Sequence, residues 1–133
     1  MKYLLLFTII LFISCSGGTH QFAKAENALD AGREFIDAIL KGNFEKANFY
    51  MLNDEANKKL LLGYQTKYNL QSREEKLGLN QSEIIILQVE DVSDKETIIN
   101  YSNSFDKIKH KIKVINKNGD WFVDFKYTFD GNL

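Results

Sequence analysis

The sequence predicts an α+β domain in which N-terminal helices pack on one face of a curved antiparallel sheet of four or more strands. Apolar residues recur at helical spacing in the first half of the chain, and after Ser82 they alternate with a period of two. Helices followed by an antiparallel meander form an α+β plan. The composition also favours one globular domain, since the 133 residues include 44% hydrophobic and 26% charged side chains.

The helical half begins with a continuous apolar stripe from Ala25 to Leu40, which predicts the first helix. Gly42 is a typical C-terminal stop, and Asn43 is a typical N-cap for a second helix. A third helix is predicted to follow directly.

Residues 65–82 show a weaker pattern, which leaves most of this segment open. Ser72 and Glu75 have the spacing of a capping box, in which each residue satisfies a backbone N–H of the other. We therefore expect one short helix here, stopped by Gly78.

Four strands are predicted, near residues 83–92, 96–105, 107–116 and 121–129. Asn118-Gly119 is a strong signal for a two-residue type I′ turn and sets the register of the last hairpin. Counting outward pairs Lys117 with Asp120, Val114 with Val123, Ile112 with Phe125, His110 with Tyr127, and Ile108 with Phe129. A slip of one residue would bury lysines, so this register is strongly specified.

The first fifteen residues have the features of a targeting signal. A single Lys2 is followed by an apolar run over residues 3–13 and by small residues around Cys15. This order is typical of a secretory signal peptide, and the run is shorter than the roughly 20 residues of a bilayer-spanning helix. The surroundings of Cys15 resemble the lipobox of bacterial lipoproteins, although Phe12 stands where that family prefers Leu.

The lipobox resemblance implies cleavage before Cys15 and lipid on its thiol. It divides the chain into a signal peptide (1–14), a lipidated tether (15–24) and a domain (25–133). The expected location is the cell envelope, anchored in the outer membrane on its periplasmic or surface face. A lipidated cysteine anchors a chain without a transmembrane helix.

Two stretches resemble nuclear transport factor 2-like domains. The step Gly42-Asn43-x-x-x-Ala47 is similar to the family's passage from its first to its second helix, and residues 118–125 are similar to its last turn and strand. The resemblance implies a cystatin-like, cone-shaped fold, as in small Bacteroidetes-type envelope lipoproteins of unknown function. It implies no single activity, since this superfamily contains isomerases, dehydratases, cyclases and binding modules.

The candidate ligand-binding residues are His110, Tyr127, Tyr101 and Tyr64. The predicted register places His110 beside Tyr127 on the face turned toward the helices, where a cone-shaped sheet has its cavity. The pair fits a general base and a hydrogen-bond donor. It equally fits a buried imidazole whose hydrogen bonds are satisfied by a phenol.

A second candidate surface is basic. Lys107, Lys109, Lys111 and Lys113 form a stripe on the outward face of the predicted sheet. The stripe suits an anionic glycan, a lipid headgroup or an acidic protein, or it is a solvated face that prevents association of sheets.

The composition argues against several classes of function. A net charge of -1 indicates no nucleic-acid partner, and one cysteine with two histidines supplies neither an internal disulfide nor a protein zinc site. No metal, no cofactor and no catalytic residue is therefore predicted. The expected function is a non-catalytic binding module for a small apolar ligand or an envelope protein. The alternatives are an isomerase- or dehydratase-like enzyme that uses a His110–Tyr127 pocket, and a homodimerisation module.

Overall fold

The structure, a computed structural model, describes residues 21–130, so the predicted signal peptide and Cys15 lie outside the described residues. In chain order the elements are helices α1 (Ala28–Leu40), α2 (Phe44–Tyr50), α3 (Glu55–Asn69) and α4 (Arg73–Asn80), strands β1 (Ile84–Ser93), β2 (Glu96–Asn103), β3 (His110–Lys117) and β4 (Asp120–Asp124), and a C-terminal 3₁₀ helix (Phe125–Phe129). The strands form one antiparallel sheet in the order β1-β2-β3-β4. The α+β class is therefore confirmed.

The core lies between α1 and the inward face of the sheet. Asn27 caps α1 by accepting a hydrogen bond from the Asp30 backbone N–H, and the apolar stripe that follows is buried. A Cβ on Gly32 would lie 2.5 Å from the Ile99 side chain. Glycine therefore allows α1 to approach β2 closely, and the apolar side chains of both elements exclude water between them.

The segment that the sequence left open is helical. The capping box of Ser72 and Glu75 is present and begins α4. The predicted stop at Gly78 is wrong, since α4 continues to Asn80. Gly78 is instead the place where the ring of Phe105 packs against the helix, in the space that a Cβ would fill.

The turn of the last hairpin is confirmed. Asn118 and Gly119 both have positive φ, at 55° and 90°, as a type I′ turn requires. Lys117 pairs with Asp120, and Val114 pairs with Val123.

The outer part of that hairpin differs from the prediction. Strand β4 ends at Asp124, and residues 125–129 form the 3₁₀ helix. The expected pairs Ile112–Phe125, His110–Tyr127 and Ile108–Phe129 are therefore wrong, because the ladder between β3 and β4 stops at Lys113 and Asp124.

A side chain on α3 explains where β4 ends. Asn57 is fully buried and accepts a hydrogen bond of 2.8 Å from the Lys126 backbone N–H. Its amide group donates to Asp124 over 3.0 Å and to Asp54 over 2.9 Å. The backbone N–H that would extend the strand is thus bound to α3. Thr128 holds the turned chain by donating to the Lys111 carbonyl over 2.8 Å.

Strands β2 and β3 are also shorter than predicted at the same end of the sheet. Residues 104–109 form a loop, which removes Lys107 and Lys109 from the predicted strand. The Asn103 side chain accepts hydrogen bonds from the Phe105 and Asp106 backbone N–H groups, each over 3.0 Å. These bonds replace a ladder with an Asx-type turn.

Within residues 21–130, no helix has both the length and the apolar character needed to cross a bilayer.

Candidate functional site

A cavity of about 200 Å³ lies between the helices and the end of the sheet where the β3–β4 ladder stops. Its apolar wall comes from α1, α4 and the 3₁₀ helix, through Ile39, Leu40, Leu79, Phe125 and Phe129. The early end of β4 makes room for it, since a longer strand would have continued beside β3. The predicted side for a cavity, between helices and sheet, agrees with this position.

Three of the four predicted ligand-binding residues line this cavity. Tyr64 reaches it from α3, Tyr101 from β2 and His110 from the first position of β3. The rings of Tyr101 and His110 lie 5.4 Å apart with 32° between their planes. Tyr101 is 4% exposed, and its hydroxyl has no hydrogen-bond partner among residues 21–130. The side chains of Tyr64 and His110 likewise make no hydrogen bond within the described part of the chain.

The surroundings keep these three groups neutral. Burial raises the pKa of the Tyr101 and Tyr64 phenols, and the Asp106 carboxylate raises both further. Burial lowers the pKa of the His110 imidazole, an effect that Asp106 partly opposes. At neutral pH the cavity therefore presents two phenol O–H groups and one neutral imidazole, which both donates and accepts hydrogen bonds.

Tyr127, the fourth predicted residue, is not part of the cavity wall. The Lys113 ammonium lies 4.6 Å from the centroid of the Tyr127 ring. Lys113 alternates with buried Ile112 and Val114 along β3, so it belongs to the outward face of the sheet. The predicted neighbour of His110 is thus replaced by Tyr101, its partner across β2 and β3.

The predicted lysine stripe is divided. Lys111 and Lys113 lie on the outward face of β3, as expected, and are partly buried. Lys107 and Lys109 are exposed in the loop before β3, with Lys107 in a left-handed conformation (φ 59°). The four lysines therefore do not lie along one strand. Partner binding through them stays a prediction.

Asp106 is the cavity residue that the sequence reasoning missed. It belongs to the loop between β2 and β3, where only a tight turn between two longer strands was expected. Its Oδ1 accepts hydrogen bonds from the Asn103 side chain over 2.8 Å and from the Ile108 backbone N–H over 2.9 Å. The signal was the pair Asn103 and Asp106, two residues that favour side-chain-capped turns and are unusual within a strand.

Comparisons with known proteins add no relative: no family model matches the sequence, and no curated protein is significantly similar to it. Within residues 21–130, no group of three His, Cys, Asp or Glu side chains is arranged to hold a metal ion.

Proposed function

We propose that this protein is a lipid-anchored cell-envelope protein whose domain binds a small ligand in the cavity without catalysing a reaction. The observation that carries the proposal is the convergence of Tyr64, Tyr101 and His110, without hydrogen-bond partners among the described residues, on a cavity with a large apolar wall. Apolar walls with a few convergent polar groups are the usual composition of small-molecule sites.

The energetics of polar groups support binding. Among the described residues, the one fully buried side-chain polar atom without a hydrogen-bond partner is Gln71 Oε1, so the polar atoms of Tyr64, Tyr101 and His110 are open to the cavity. A ligand that hydrogen-bonds to the phenols or the imidazole takes the place of water there. The apolar wall contributes further through burial of the ligand's hydrocarbon surface.

The enzyme alternative is less well supported. It required His110 and Tyr127 to act together as base and donor in one pocket, and Tyr127 is not part of the cavity wall. The neighbour that replaces it, Tyr101, has a raised pKa because of its burial, so its phenol is a weak acid at neutral pH. We therefore favour a binding function.

The family proposal rests on the order of elements. Helices that precede an antiparallel sheet, a first helix that ends at the Gly42-Asn43 step, and a cavity between helix and sheet agree with a nuclear transport factor 2-like domain. The proposed anchor rests on the resemblance of the residues around Cys15 to a lipobox.

The anchor is tested by metabolic labelling. We expect Cys15→Ala to lose palmitate incorporation and to leave the membrane fraction. Ser16→Ala is the matched control, since it changes the next small residue and keeps the thiol. Palmitate labelling of the Cys15→Ala protein would contradict the lipoprotein proposal.

The cavity is tested with small fragments. Purified full-length protein in detergent is screened by ligand-observed NMR against fragments of fewer than ten heavy atoms or so. Leu79→Phe, which adds volume to the cavity wall, is expected to abolish the hits, whereas Leu77→Phe changes an exposed leucine on the same helix and is expected to keep them. Hits that bind equally to both variants, or no hits at all, would contradict the proposal.

A further inference from the structure

The lining of the cavity indicates which ligands it accepts. We propose that the ligand is a small organic cation, whose ammonium group is held between aromatic rings and the carboxylate of Asp106. This inference rests on the proposed binding function of the same cavity. It adds the charge and the chemical class of the ligand.

The first observation is the number and arrangement of the rings. Five aromatic side chains line the cavity: Tyr64, Tyr101, His110, Phe125 and Phe129. Phe125 makes edge-to-face contacts with Tyr64 at 6.0 Å and with Phe129 at 5.1 Å. Their interplanar angles of 75° and 81° turn the rings in different directions, as the walls of a box do. Aromatic rings grouped around a cavity are the elements from which cages for quaternary and methylated ammonium groups are built.

The second observation is the carboxylate of Asp106, in which one oxygen is hydrogen-bonded to the loop and the other is available to a ligand. Asp106 Oδ1 accepts hydrogen bonds from Asn103 and from the Ile108 backbone, so the loop holds the side chain in place. Its Oδ2 has no hydrogen-bond or ion-pair partner within residues 21–130. A fixed carboxylate beside aromatic faces supplies the counter-charge of an ammonium group at no cost in reorganisation.

The third observation is the sign of the electrostatic potential. Asp106 raises the pKa of Tyr64 and Tyr101 and opposes the lowering of the His110 pKa, so its negative charge acts on all three polar groups. Lys67 also lines the cavity and, like Asp106, is exposed, but it contributes to none of these three shifts. Of the two charges, the carboxylate is therefore the one that acts on the polar groups of the cavity.

The volume sets the size of the ligand. At about 200 Å³ the cavity is smaller than the sites of roughly 300 Å³ or more that hold drug-sized molecules. A compact ammonium group with a short hydrocarbon or hydroxyl arm fits this volume.

The experiment compares two molecules of the same shape and different charge. Choline and 3,3-dimethyl-1-butanol differ in one atom, a quaternary nitrogen or a quaternary carbon. Binding of each to the full-length protein is followed by isothermal titration calorimetry and by shifts in the NMR spectrum. We expect choline to bind at least roughly ten-fold more tightly than the alcohol.

Substitutions test which residues cause the preference for choline. Asp106→Asn keeps the Oδ1 acceptor that holds the loop and removes the charge, so it is expected to weaken choline binding roughly ten-fold and to leave the alcohol unchanged. Asp94→Asn removes an equally exposed charge at the β1–β2 turn and is expected to change neither. Tyr64→Leu removes one ring and provides a second variant that is independent of the loop. It is expected to weaken choline more than the alcohol.

The outcomes separate this inference from the proposed function. Equal or tighter binding of the alcohol overturns the cation proposal and leaves a cavity that binds neutral ligands. Fragment hits in the absence of any choline binding have the same meaning. If neither choline, the alcohol nor any fragment binds, the binding function itself fails. An Asp94→Asn protein that loses choline as strongly as Asp106→Asn would show that the carboxylate in the cavity has no specific role.

Discussion

Strand β3 meets a tight turn at one end and the cavity at the other, and the two ends are held by different contacts. After Lys117 the chain turns through Asn118 and Gly119, adjacent residues whose positive φ angles match the twist of the hairpin. Near His110 the segment that follows β4 leaves the sheet, because it is hydrogen-bonded to Asn57, which lies 67 residues before Asp124 in sequence. The comparison teaches that turn residues determine how two strands pair, whereas a remote side chain determines where the pairing stops.

The largest effect is expected at the cavity end, from Asn57→Ala. The substitution leaves the Lys126 N–H and the buried Asp124 carboxylate without their partner on α3. We expect a loss of about 3 kcal/mol in the free energy of unfolding, measured by urea denaturation. Asn48→Ala, an exposed position on α2, is the control and is expected to change stability by less than about 0.5 kcal/mol. A similar small loss for Asn57→Ala would show that the 3₁₀ helix holds its place without α3.

A smaller effect is expected at the turn end, from Gly119→Ala. No atom lies within 4 Å of the added Cβ, so the cost is the positive φ of 90° alone, about 1 kcal/mol. Gly63→Ala is the matched control, because its Cβ also meets open space but its backbone is helical. That substitution is expected to stabilise the protein by up to about 1 kcal/mol. Two changes of the same sign would contradict this account of the turn.

A still smaller effect tests the outward side of the 3₁₀ helix. Lys113→Gln removes the ammonium that lies over the Tyr127 ring and keeps most of the side-chain stem. We expect a loss of about 0.5 kcal/mol in thermal or urea unfolding. Lys111→Gln, on the same face of β3, is the control. If both variants unfold alike, the contact with Tyr127 does not stabilise the cavity end.

The smallest effect concerns pH. Burial lowers the pKa of His110 in the folded chain below its ordinary value of 6.5. The unfolded chain therefore binds more protons in this window, and the free energy of unfolding decreases as the pH falls through it. His110→Gln is expected to flatten this part of the profile between about pH 7.5 and about pH 5.5. The pKa of Asp54 is also lowered, chiefly by the hydrogen bond from the Asn57 backbone N–H. Protonation of Asp54 at a pH below the ordinary Asp pKa of 3.8 therefore causes a separate decrease in the free energy of unfolding. An unchanged profile in the His110→Gln protein would show that His110 is solvated.

The candidate site was predicted in part, and for a partly wrong reason. The alternation along β3 correctly placed His110 on the inward side, and Tyr101 follows from the same period on β2. Tyr127 was placed beside His110 by extending the β3–β4 ladder beyond Asp124. Apolar and polar residues still alternate there, but β4 has already ended. Asp106 was missed, because the residues on both sides of it were predicted to continue the strands and it was taken only as the turn between them.

The sequence by itself determined the α+β class, the helix caps at Asn43 and Ser72, and the register of the last hairpin. These features depend on residues within a few positions of each other, through helical or strand periodicity and the φ angles of a turn. Only the tertiary structure decided the end of β4, the loop after Asn103 and the cavity between them. The end of β4 and the cavity depend on hydrogen bonds and packing between distant segments, above all those of Asn57, whereas the loop after Asn103 depends on local side-chain hydrogen bonds that its alternating pattern does not reveal. The contacts of Asn57 form only when α3 and the sheet have been brought together.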